Sequence, residues 1–330
     1  MADSCQMPAW RRALAAAVTD PAELLARLDL PAGLLPGARA AARRFGLRVP
    51  PAYLARIRPG DPADPLLRQV LPLGEECREV AGFGADPVGD LDAAQAPGLL
   101  VKYEGRALLL TSPACALHCR YCFRREFPYA AQGAGRAARG AAVAALAGLP
   151  GVREVILSGG DPLSLDDTAL AGLVEALDPV PHLTTLRLHT RLPVAVPERV
   201  TPELLEILSG SRLRCVVVIH CNHPREIDAE VRAALEALGT VATLLNQSVL
   251  LAGVNDGVDV LEGLSLDLFA AGVLPYYLHA LDRVRGAAHF EVPRERALIL
   301  MEGLRARLPG YLVPRLVEEI AAARSKAPVG

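Results

Sequence analysis

The sequence predicts an α/β fold in which a parallel sheet forms a partial barrel of six strand-helix units, preceded by a helical appendage. Two observations carry this prediction. From residue 106 onward, short apolar runs alternate with longer amphipathic ones, which is the pattern of repeated βα units. Each short run is followed directly by polar or metal-binding residues, and in parallel α/β folds the chemistry gathers at the carboxyl ends of the strands. Six units are too few to close an eight-stranded barrel.

Three segments are expected along the chain. They are a helical and loop-rich N-terminal appendage (residues 1–95), the barrel (96–308) and a C-terminal segment (309–330). In the first, a helix is expected after the start signal Asp20-Pro21, where leucines follow at helical spacing. Turn-forming sequences between residues 56 and 95 predict loops that wrap a surface.

The barrel strands are predicted from runs of apolar residues. These runs lie at residues 107–112, 154–158, 185–190, 215–220, 243–247 and 275–279. The clearest predicted helices between and after them are Ile227 to Leu238, which has one apolar face, and Arg294 to Arg307. The groups that follow the six strands are the cysteine loop, Gly159-Gly160-Asp161, Arg191, Asn222-His223, Gln247-Ser248 and Asp282.

The cysteine loop after the first of these strands carries Cys115, Cys119 and Cys122. Three such thiolates can hold three irons of a four-iron, four-sulfur cluster, and the fourth iron is then free to bind a substrate. The alternatives are a structural zinc site that lacks one ligand and three buried cysteines that act as small apolar residues. Because His118 is adjacent to Cys119, it is poorly placed to reach the same ion. The spacing therefore favours the cluster.

Composition limits the remaining function classes. The formal net charge is −2 and the sequence pI is near 6.4, which argues against a general nucleic-acid or membrane-surface binder. Neither a signal peptide nor an apolar run long enough to span a bilayer is evident, so a cytoplasmic protein is expected. The odd number of cysteines, seven, favours metal or catalytic use over a disulfide framework.

Several further groups have chemistry that the residues alone leave open. The glycines of LSGGDPL (157–163) permit close approach to a ligand, but the same run is also a good turn. Arg124 follows the last loop cysteine and could bind a carboxylate bidentately, or it could lie in a solvated basic turn. The carboxylates Asp282 and Glu319 could receive a cation. By composition alone, Lys326 is an ordinary lysine on a terminal tail.

With these motifs in place, the chain resembles the radical S-adenosylmethionine (SAM) superfamily and, within it, the lysine 2,3-aminomutase family, on the branch that serves β-lysylation of elongation factor P. The likeness covers nearly the whole chain and is carried by CALHCRYCFRREFPY, LSGGDPL, NQSVLLAGVND and PYYLHALDRVRGAAHF. It implies a partial (β/α)6 barrel of the radical SAM type.

The resemblance also implies a set of site residues. Cys115, Cys119 and Cys122 would hold the [4Fe-4S] cluster; Gly160, Asp161, Asn222 and Gln247 would contact SAM; Arg124, Asp282 and Glu319 would bind the substrate; Lys326 would carry pyridoxal 5′-phosphate (PLP), which Lys102, Tyr103 and Arg106 would contact.

The implied reaction is the isomerisation of α-lysine to β-lysine, used to modify elongation factor P. An electron donor such as flavodoxin or ferredoxin, and the lysyl ligase of elongation factor P, are the implied protein partners, with no nucleic acid and no membrane. The sequence leaves the oligomeric state open, a homo-oligomer included. The alternatives are an aminomutase for arginine or glutamate and a non-catalytic iron-sulfur protein. Two carboxylates that face the distal end of the substrate argue against glutamate.

One departure from the family pattern lies before Lys326. The family usually has Gly-rich sequence there, whereas this chain has IAAARS. The alanines predict that this segment continues as a helix.

Overall fold

The computed structural model describes residues 7–133 and 136–330. Cys5, one of the seven cysteines, lies outside the described residues, as do residues 134 and 135. In the described ranges, ten strands form one sheet whose spatial order equals the order along the chain. The strands are β1 (Ala94–Ala96), β2 (Leu99–Leu100), β3 (Arg106–Ser112), β4 (Glu154–Gly159), β5 (Thr185–Thr190), β6 (Arg214–Ile219), β7 (Thr243–Val249), β8 (Leu274–His279), β9 (Arg315–Glu318) and β10 (Ala327–Pro328).

All six predicted strands are confirmed as β3 to β8. They pair in parallel with one another in sequence order, and β9 continues the parallel set beyond β8. The sheet ends in antiparallel pairs at both edges. On one side β1 pairs with β2 and β2 with β3, and on the other side β10 pairs with β9. The sequence did not reveal these edge strands, because segments of two to four residues are too short to show an alternating pattern.

The helices cover the sheet and alternate with turns in the N-terminal region. Their bounds are α1 (Ala9–Ala15), α2 (Pro21–Arg27), α3 (Leu35–Arg44), α4 (Pro51–Leu54), α5 (Pro65–Arg68), α6 (Arg136–Ala147), α7 (Asp167–Leu177), α8 (Leu192–Ala195), α9 (Pro202–Ser209), α10 (Ala229–Gly239), α11 (Val258–Ala270) and α12 (Arg294–Arg307). The predicted last helix is confirmed as α12.

Side-chain caps explain where two of the predicted helices begin. Asp20 accepts a hydrogen bond of 3.0 Å from the Ala22 amide, so the start of α2 is the predicted one. Helix α10 begins two residues later than predicted, because Asp228 caps it by accepting from the Val231 amide at 2.9 Å.

The sheet curves around one cavity. Arg106 of β3, Ser158 of β4, His189 of β5, Gln247 of β7 and His279 of β8 all line the same space. A flat sheet could not surround a cavity with side chains from so many of its strands. The fold is therefore α/β, with a parallel sheet that forms a partial barrel, as the sequence predicted.

The N-terminal region packs directly against the barrel. Its buried residues Trp10, Leu24 and Tyr53 belong to the same hydrophobic cluster as Leu109 of β3 and Leu157 of β4. One continuous core thus joins the two segments, and the boundary at residue 95 stays a prediction. Within the described ranges, no helix has the length and apolar character needed to cross a membrane.

The predicted helix between Glu319 and Lys326 is wrong. These residues form turns, and Ala322 has a left-handed φ of +61°. After the turns, β10 returns against β9, with Ala327 opposite Glu318. The helix propensity of alanine is worth less than about 1 kcal/mol per residue, and strand pairing together with the Glu319–Lys326 ion pair at 3.0 Å outweighs it here.

Candidate active site

The cavity lies at the carboxyl ends of the parallel strands, where the polar groups of the sequence were expected to meet. Of the groups that follow the six strands, those that line it are Cys115, Cys119, Cys122, Gly159, Gly160, Asp161, Arg191, Gln247 and Asp282. Arg124, Glu319, Lys102, Tyr103, Arg106 and Lys326 line it as well. The structure therefore gathers around one space nearly all of the site residues that the resemblance implies.

Asn222 is the exception among those residues. It is fully buried and is not part of the cavity wall. Its side-chain amide donates to Tyr121 Oη at 2.6 Å and to Gln69 Oε1 at 3.0 Å, and its Oδ1 accepts from the Val249 amide at 2.9 Å. The side chain thus holds the cysteine loop and the end of β7 together from behind the cavity.

The cysteine loop is held in place by the N-terminal region. Arg120 of the loop forms a bidentate ion pair with Glu76, with distances of 2.9 Å and 2.7 Å, and both side chains are fully buried. Arg125 joins the same carboxylate at 2.6 Å. These two arginines hold the pKa of Glu76 below its usual value, although burial alone would raise it. The sequence did not reveal these two ion pairs, because Glu76 lies in a turn-rich stretch that is far from the loop along the chain.

The cysteines of the loop are partly exposed and line the cavity. Burial of the sulfur, followed by the proximity of Cys119, raises the pKa of Cys122 to about 11, and burial followed by the proximity of Cys122 raises the pKa of Cys115 well above its usual value. Metal binding must therefore displace protons from these thiols. Residues 7–133 and 136–330 contain no group of three His, Cys, Asp or Glu side chains that converges on a single metal ion. A four-iron cluster has no such requirement, because its three thiolates bind different irons.

Gly160 allows the cysteine loop to lie against the end of β4. The Asp161 amide donates to the Ala114 carbonyl at 2.8 Å, and the Gly160 amide donates to the Ser112 carbonyl at 2.7 Å. A Cβ atom on Gly160 would lie 2.9 Å from the carbonyl carbons of Pro113 and Ala114, and closer still to the Ala114 oxygen. The glycine is needed here because backbone meets backbone.

The carboxylate of Asp161 is engaged within the protein. It accepts from Thr190 Oγ1 at 2.7 Å and from the amides of Arg191, Leu192 and Leu163 at 2.7, 3.2 and 3.0 Å. Burial raises the pKa of this carboxyl, and these hydrogen bonds oppose that increase. Asp161 therefore fixes the end of β5. It also lines the cavity, and its contact with SAM stays a prediction.

An alternating row of charges crosses the cavity. Asp90 accepts from Arg124 Nε at 2.6 Å and pairs with Lys102 Nζ at 2.5 Å. Lys102 also contacts Glu319 Oε1 at 2.8 Å, and Glu319 Oε2 lies 3.0 Å from Lys326 Nζ. Lys102 and Lys326 are the only two lysines in the 330-residue sequence, and Glu319 binds both.

The charges in this row hold one another ionised. Burial alone would raise the pKa of Glu319, but Lys326 and Lys102 lower it to about 2. Arg124 and Lys102 likewise lower the pKa of Asp90 against its burial. Asp90 is a site residue that sequence reasoning missed; the turn signals around it were its only feature. It fixes the guanidinium that was expected to bind the substrate carboxylate.

Asp282 has a different environment from the other carboxylates. Among the described residues, no side chain forms a hydrogen bond or an ion pair with its carboxylate. Burial and the negative charge of Glu319 raise its pKa to about 7, although Lys326 and Lys102 lower it in part. A carboxylate without a local partner in a cavity is suited to bind a cation from outside the protein.

Three further groups of the cavity wall were also missed. His279 Nε2 lies 3.5 Å from Lys326 Nζ, and the Tyr277 ring lies 5.6 Å from the same nitrogen. His189 lies near Gln247, with 3.5 Å between Nδ1 and Nε2, and its own Nε2 has no hydrogen-bond partner within the described residues. Burial lowers the pKa of both histidines, so they are neutral. The alternation of strands β5 and β8, which points every second side chain inward, could have indicated them.

These residues fit the groups that the family resemblance implies. Three thiols at one edge of the cavity, with no fourth cysteine beside them, suit a cluster that keeps one open iron. Two lysine amines, Arg106 and Tyr103, whose ring lies 5.0 Å from the Arg106 guanidinium, suit a phosphorylated aromatic aldehyde.

A partial parallel barrel whose first long strand leads into a Cys-x3-Cys-x2-Cys loop, with the cysteines facing the barrel cavity, defines a protein of the radical SAM class. Comparison with known proteins assigns the family. The chain is 46% identical over 323 residues to the L-lysine 2,3-aminomutase of Escherichia coli (strain K12), which covers 97% of this chain and 94% of the relative. It is 44% identical to the enzyme of the same name from Haemophilus influenzae, over 96% and 94% of the two chains. The chain belongs to the L-lysine 2,3-aminomutase family, whose members are isomerases.

More distant comparisons add the following. The L-lysine 2,3-aminomutase of Clostridium subterminale is 36% identical over 86% of this chain, which covers 68% of that longer protein. A radical SAM methyltransferase from Sphaerobacter thermophilus aligns with a TM-score of 0.47 at 17% identity, over 68% of this chain and 69% of the other. No family model matches the sequence.

Proposed function

We propose that this chain is a SAM- and PLP-dependent lysine 2,3-aminomutase that converts α-lysine to β-lysine. Family membership supports the proposal. The observation that carries it is the content of one cavity, which combines three loop thiols, an arginine fixed in its wall, both lysines of the chain and a carboxylate with no side-chain partner among the described residues. A non-catalytic iron-sulfur protein would have no use for the last three.

Bound groups would provide the difficult chemistry. The cluster and SAM would supply a carbon radical that takes hydrogen from C3 of lysine, and PLP would supply a conjugated system that delocalises the unpaired electron while nitrogen moves from C2 to C3. Cys115, Cys119 and Cys122 would hold the cluster. Gly160, Asp161 and Gln247 would contact SAM from the ends of β4 and β7, with Asn222 acting from behind the wall.

Lys326 would attach PLP. Its amine lies 3.0 Å from Glu319 Oε2, and the low pKa of Glu319 keeps that carboxylate negative. A lysine must lose a proton before it reacts with an aldehyde, so this ion pair must open as the cofactor arrives. PLP held on Lys326 would leave Glu319 Oε2 free to accept another cation, while Glu319 Oε1 stays 2.8 Å from Lys102 Nζ.

The substrate would bind between an arginine and two carboxylates. Arg124, held by Asp90 and by Ser158 Oγ at 3.2 Å, would bind the α-carboxylate. Asp282 and the released Glu319 would bind the distal ammonium of lysine, which would be costly to desolvate without them. Glutamate would place a third negative charge between the two carboxylates. Fixing both ends of the substrate in a buried cavity orients C3 and excludes water from the radical.

The experiment that tests this proposal is an amino-acid panel. Anaerobic enzyme, reconstituted with iron, sulfide and PLP, is reduced with SAM present and given lysine, arginine or glutamate. We expect β-lysine from lysine, together with SAM-dependent turnover, and no β-isomer from glutamate. Turnover of glutamate without turnover of lysine would contradict the proposal. Turnover of arginine in preference to lysine would support the alternative substrate.

We also propose that the β-lysine serves to modify elongation factor P, through that factor's lysyl ligase, with a flavodoxin or ferredoxin as the electron donor. The sequence motifs CALHCRYCFRREFPY and PYYLHALDRVRGAAHF support this through the family resemblance. Co-expression with elongation factor P and its ligase should add the mass of one β-lysyl group to the factor. Loss of that addition with a Cys119→Ala variant is the control, and an unmodified factor with active enzyme would contradict this part.

A further inference from the structure

Arg191 contacts the cysteine loop from the end of β5. Its Nη1 lies 2.7 Å from Cys119 Sγ and 2.6 Å from Tyr121 Oη. The side chain is 8% exposed. In the part of the chain that the structure describes, no other arginine side chain donates a hydrogen bond to a thiol of the loop.

Arg191 is held in place at its guanidinium and at its backbone. Its Nη2 donates to Gln69 Oε1 at 2.7 Å and to Glu226 Oε2 at 2.8 Å, and Glu226 is fully buried. At the other end, the backbone amide of Arg191 donates to Asp161 Oδ2 at 2.7 Å. The position of Nη1 relative to Cys119 is therefore determined by contacts that do not involve any ligand.

The donor in this contact is a full cation. An arginine guanidinium stays protonated in folded proteins, so no shift in its titration is needed. Glu226 accepts from Nη2, whereas Cys119 lies on Nη1. The loop sulfur therefore meets the positive end of a buried ion pair.

Hydrogen bonds to the sulfurs, net charge and burial are the means by which a protein sets the potential of an iron-sulfur cluster. When the cluster gains one electron from an external one-electron donor, its negative charge increases, and a fixed cation beside a ligand sulfur stabilises that reduced form. No bond forms or breaks at Arg191 in this step. The cation raises the reduction potential.

We infer that Arg191 is a positioning residue that raises the reduction potential of the cluster through its hydrogen bond to Cys119. The inference rests on the proposed cluster and adds a role to a residue that neither substrate nor PLP contact explains. Glu226 has the opposite effect, because it is the buried anion of the same pair.

The test is a potentiometric titration of cluster-loaded protein, followed by electron paramagnetic resonance, without SAM or amino acid. At the midpoint potential of the wild-type protein, the ratio of reduced to oxidised cluster should fall roughly tenfold in Arg191→Gln, which is about 59 mV for a one-electron couple. Arg191→Lys keeps the charge but loses the planar fork, so its ratio should fall less. Glu226→Gln should shift the ratio in the opposite direction.

Arg187→Gln is the matched control. Arg187 lies on the same strand and lines the same cavity, but it pairs with Glu154 at 2.6 Å and has no hydrogen bond to a thiol. Its ratio should stay within about twofold of the wild type, because among the described residues Arg187 donates no hydrogen bond to a loop sulfur and lies four residues, roughly 13 Å of extended chain, before Arg191. Iron and sulfide content per chain show whether each variant holds its cluster.

The outcomes separate this inference from the proposed function. A wild-type chain that takes up no cluster would contradict both. Cluster-loaded Arg191→Gln and Arg191→Lys with the same midpoint potential as the wild type would overturn the inference and leave the proposed function intact. A shift of the midpoint potential in Arg187→Gln as large as that in Arg191→Gln would do the same. If both Arg191 variants fold but lose the cluster that Arg187→Gln keeps, Arg191 serves cluster assembly and its role in setting the potential is refuted.

Discussion

Glu319 and Lys326 form an ion pair of 3.0 Å inside the cavity, on a turn that the alanines between them were expected to make helical. The other oxygen of Glu319 binds Lys102 at 2.8 Å. The only two lysines of the chain thus share one carboxylate. In the proposed reaction, Lys326 carries PLP, and Glu319 Oε2 exchanges the ammonium of Lys326 for the ammonium of the substrate.

The two lysines make the site of PLP attachment easy to assign. When the enzyme is incubated with PLP and reduced with borohydride, we expect the cofactor to be fixed on the peptide that contains Lys326. Lys326→Arg should lose all of the covalently held cofactor, because an arginine cannot act as the amine nucleophile. The measurement is peptide mass spectrometry together with visible absorbance.

Lys102→Arg is the matched control for that experiment. It keeps a cation between Asp90 and Glu319, so covalent attachment at Lys326 should persist. Cofactor found on Lys102 in the wild type, or retained in Lys326→Arg, would place the attachment elsewhere.

The carboxylate of Asp282 should govern lysine binding. Asp282→Asn removes one of two charge-assisted contacts to the distal ammonium, so lysine binding should weaken by about 1.5 to 3 kcal/mol. Substrate titration of the reconstituted enzyme measures this change. Glu318→Gln is the control, since Glu318 pairs with Arg294 at 3.6 Å on the surface. Equal affinity of Asp282→Asn and wild type for lysine would remove Asp282 from the binding site.

The raised pKa of Asp282, about 7 in the free protein, also predicts a pH dependence. Below that pH the carboxyl is protonated and cannot pair with an ammonium, so lysine binding should weaken as the pH falls from 8 to 6. The stability of the free protein depends on pH in the opposite direction. Because the folded-state pKa of Asp282 is raised, its contribution to the free energy of unfolding is lost as the pH rises through about 7. Asp282→Asn should abolish the pH dependence of lysine binding between pH 8 and 6. The same variant should raise the melting temperature of the free protein at pH 8. A wild-type binding profile that is flat over this range would argue against a titrating Asp282.

Gly160 should be essential for the position of the cysteine loop. A methyl group there would meet the backbone of Pro113 and Ala114, which cannot yield as a flexible side chain would. We expect Gly160→Ala to cost about 1 to 3 kcal/mol in the free energy of unfolding and to reduce the iron content after reconstitution. Gly172→Ala, in α7, is the control: nothing lies within 4 Å of its new Cβ atom, and this variant should be as stable as the wild type or more so. Full cluster content and unchanged stability in Gly160→Ala would show that the loop has room to move.

Asp90 should contribute to stability as well as to the site. Asp90→Asn removes the shared anion of Arg124 and Lys102, and breaking a buried ion pair from one side typically costs about 3 to 5 kcal/mol; because Lys102 keeps Glu319, we expect a loss of about 2 to 3 kcal/mol. The pKa of Asp90 is lowered, so its contribution is present above the unfolded-state pKa and is lost as the pH falls below about 5. Urea unfolding should therefore show a difference between wild type and variant at pH 7 that narrows below pH 5. A difference that does not change with pH would show that charge is not its origin.

The sequence was most informative where the pattern was repeated. Six long strands and the two clearest helices followed from apolar periodicity and from caps such as Asp20, and the groups after the strands met at one cavity because parallel strands end on one side. The cysteine spacing indicated the cluster without help from the fold. The position of Asp282 followed from the strand pattern, whereas those of Arg124 and Lys326 around the same cavity were predicted through the family resemblance.

What the sequence concealed depends on contacts between distant segments. Glu76 clamps Arg120 and Arg125, and Asp90 fixes Arg124, although both carboxylates come from turn-rich stretches with no pattern. The turn between Glu319 and Lys326 was mispredicted for the same reason. Local helix propensity is weak, and the pairing of β10 with β9 is invisible in a two-residue strand.

The central claim is that this chain moves an amino group from C2 to C3 of lysine, and nitrogen labelling tests it most directly. Reconstituted, reduced enzyme is given SAM, PLP and lysine labelled with nitrogen-15 at the α-amino group, in the presence of excess unlabelled ammonium. The account predicts β-lysine that carries the full label at C3, because the nitrogen stays within one buried site throughout. Absence of β-lysine from cluster- and PLP-loaded enzyme, or β-lysine that has exchanged its label with ammonium, would contradict it.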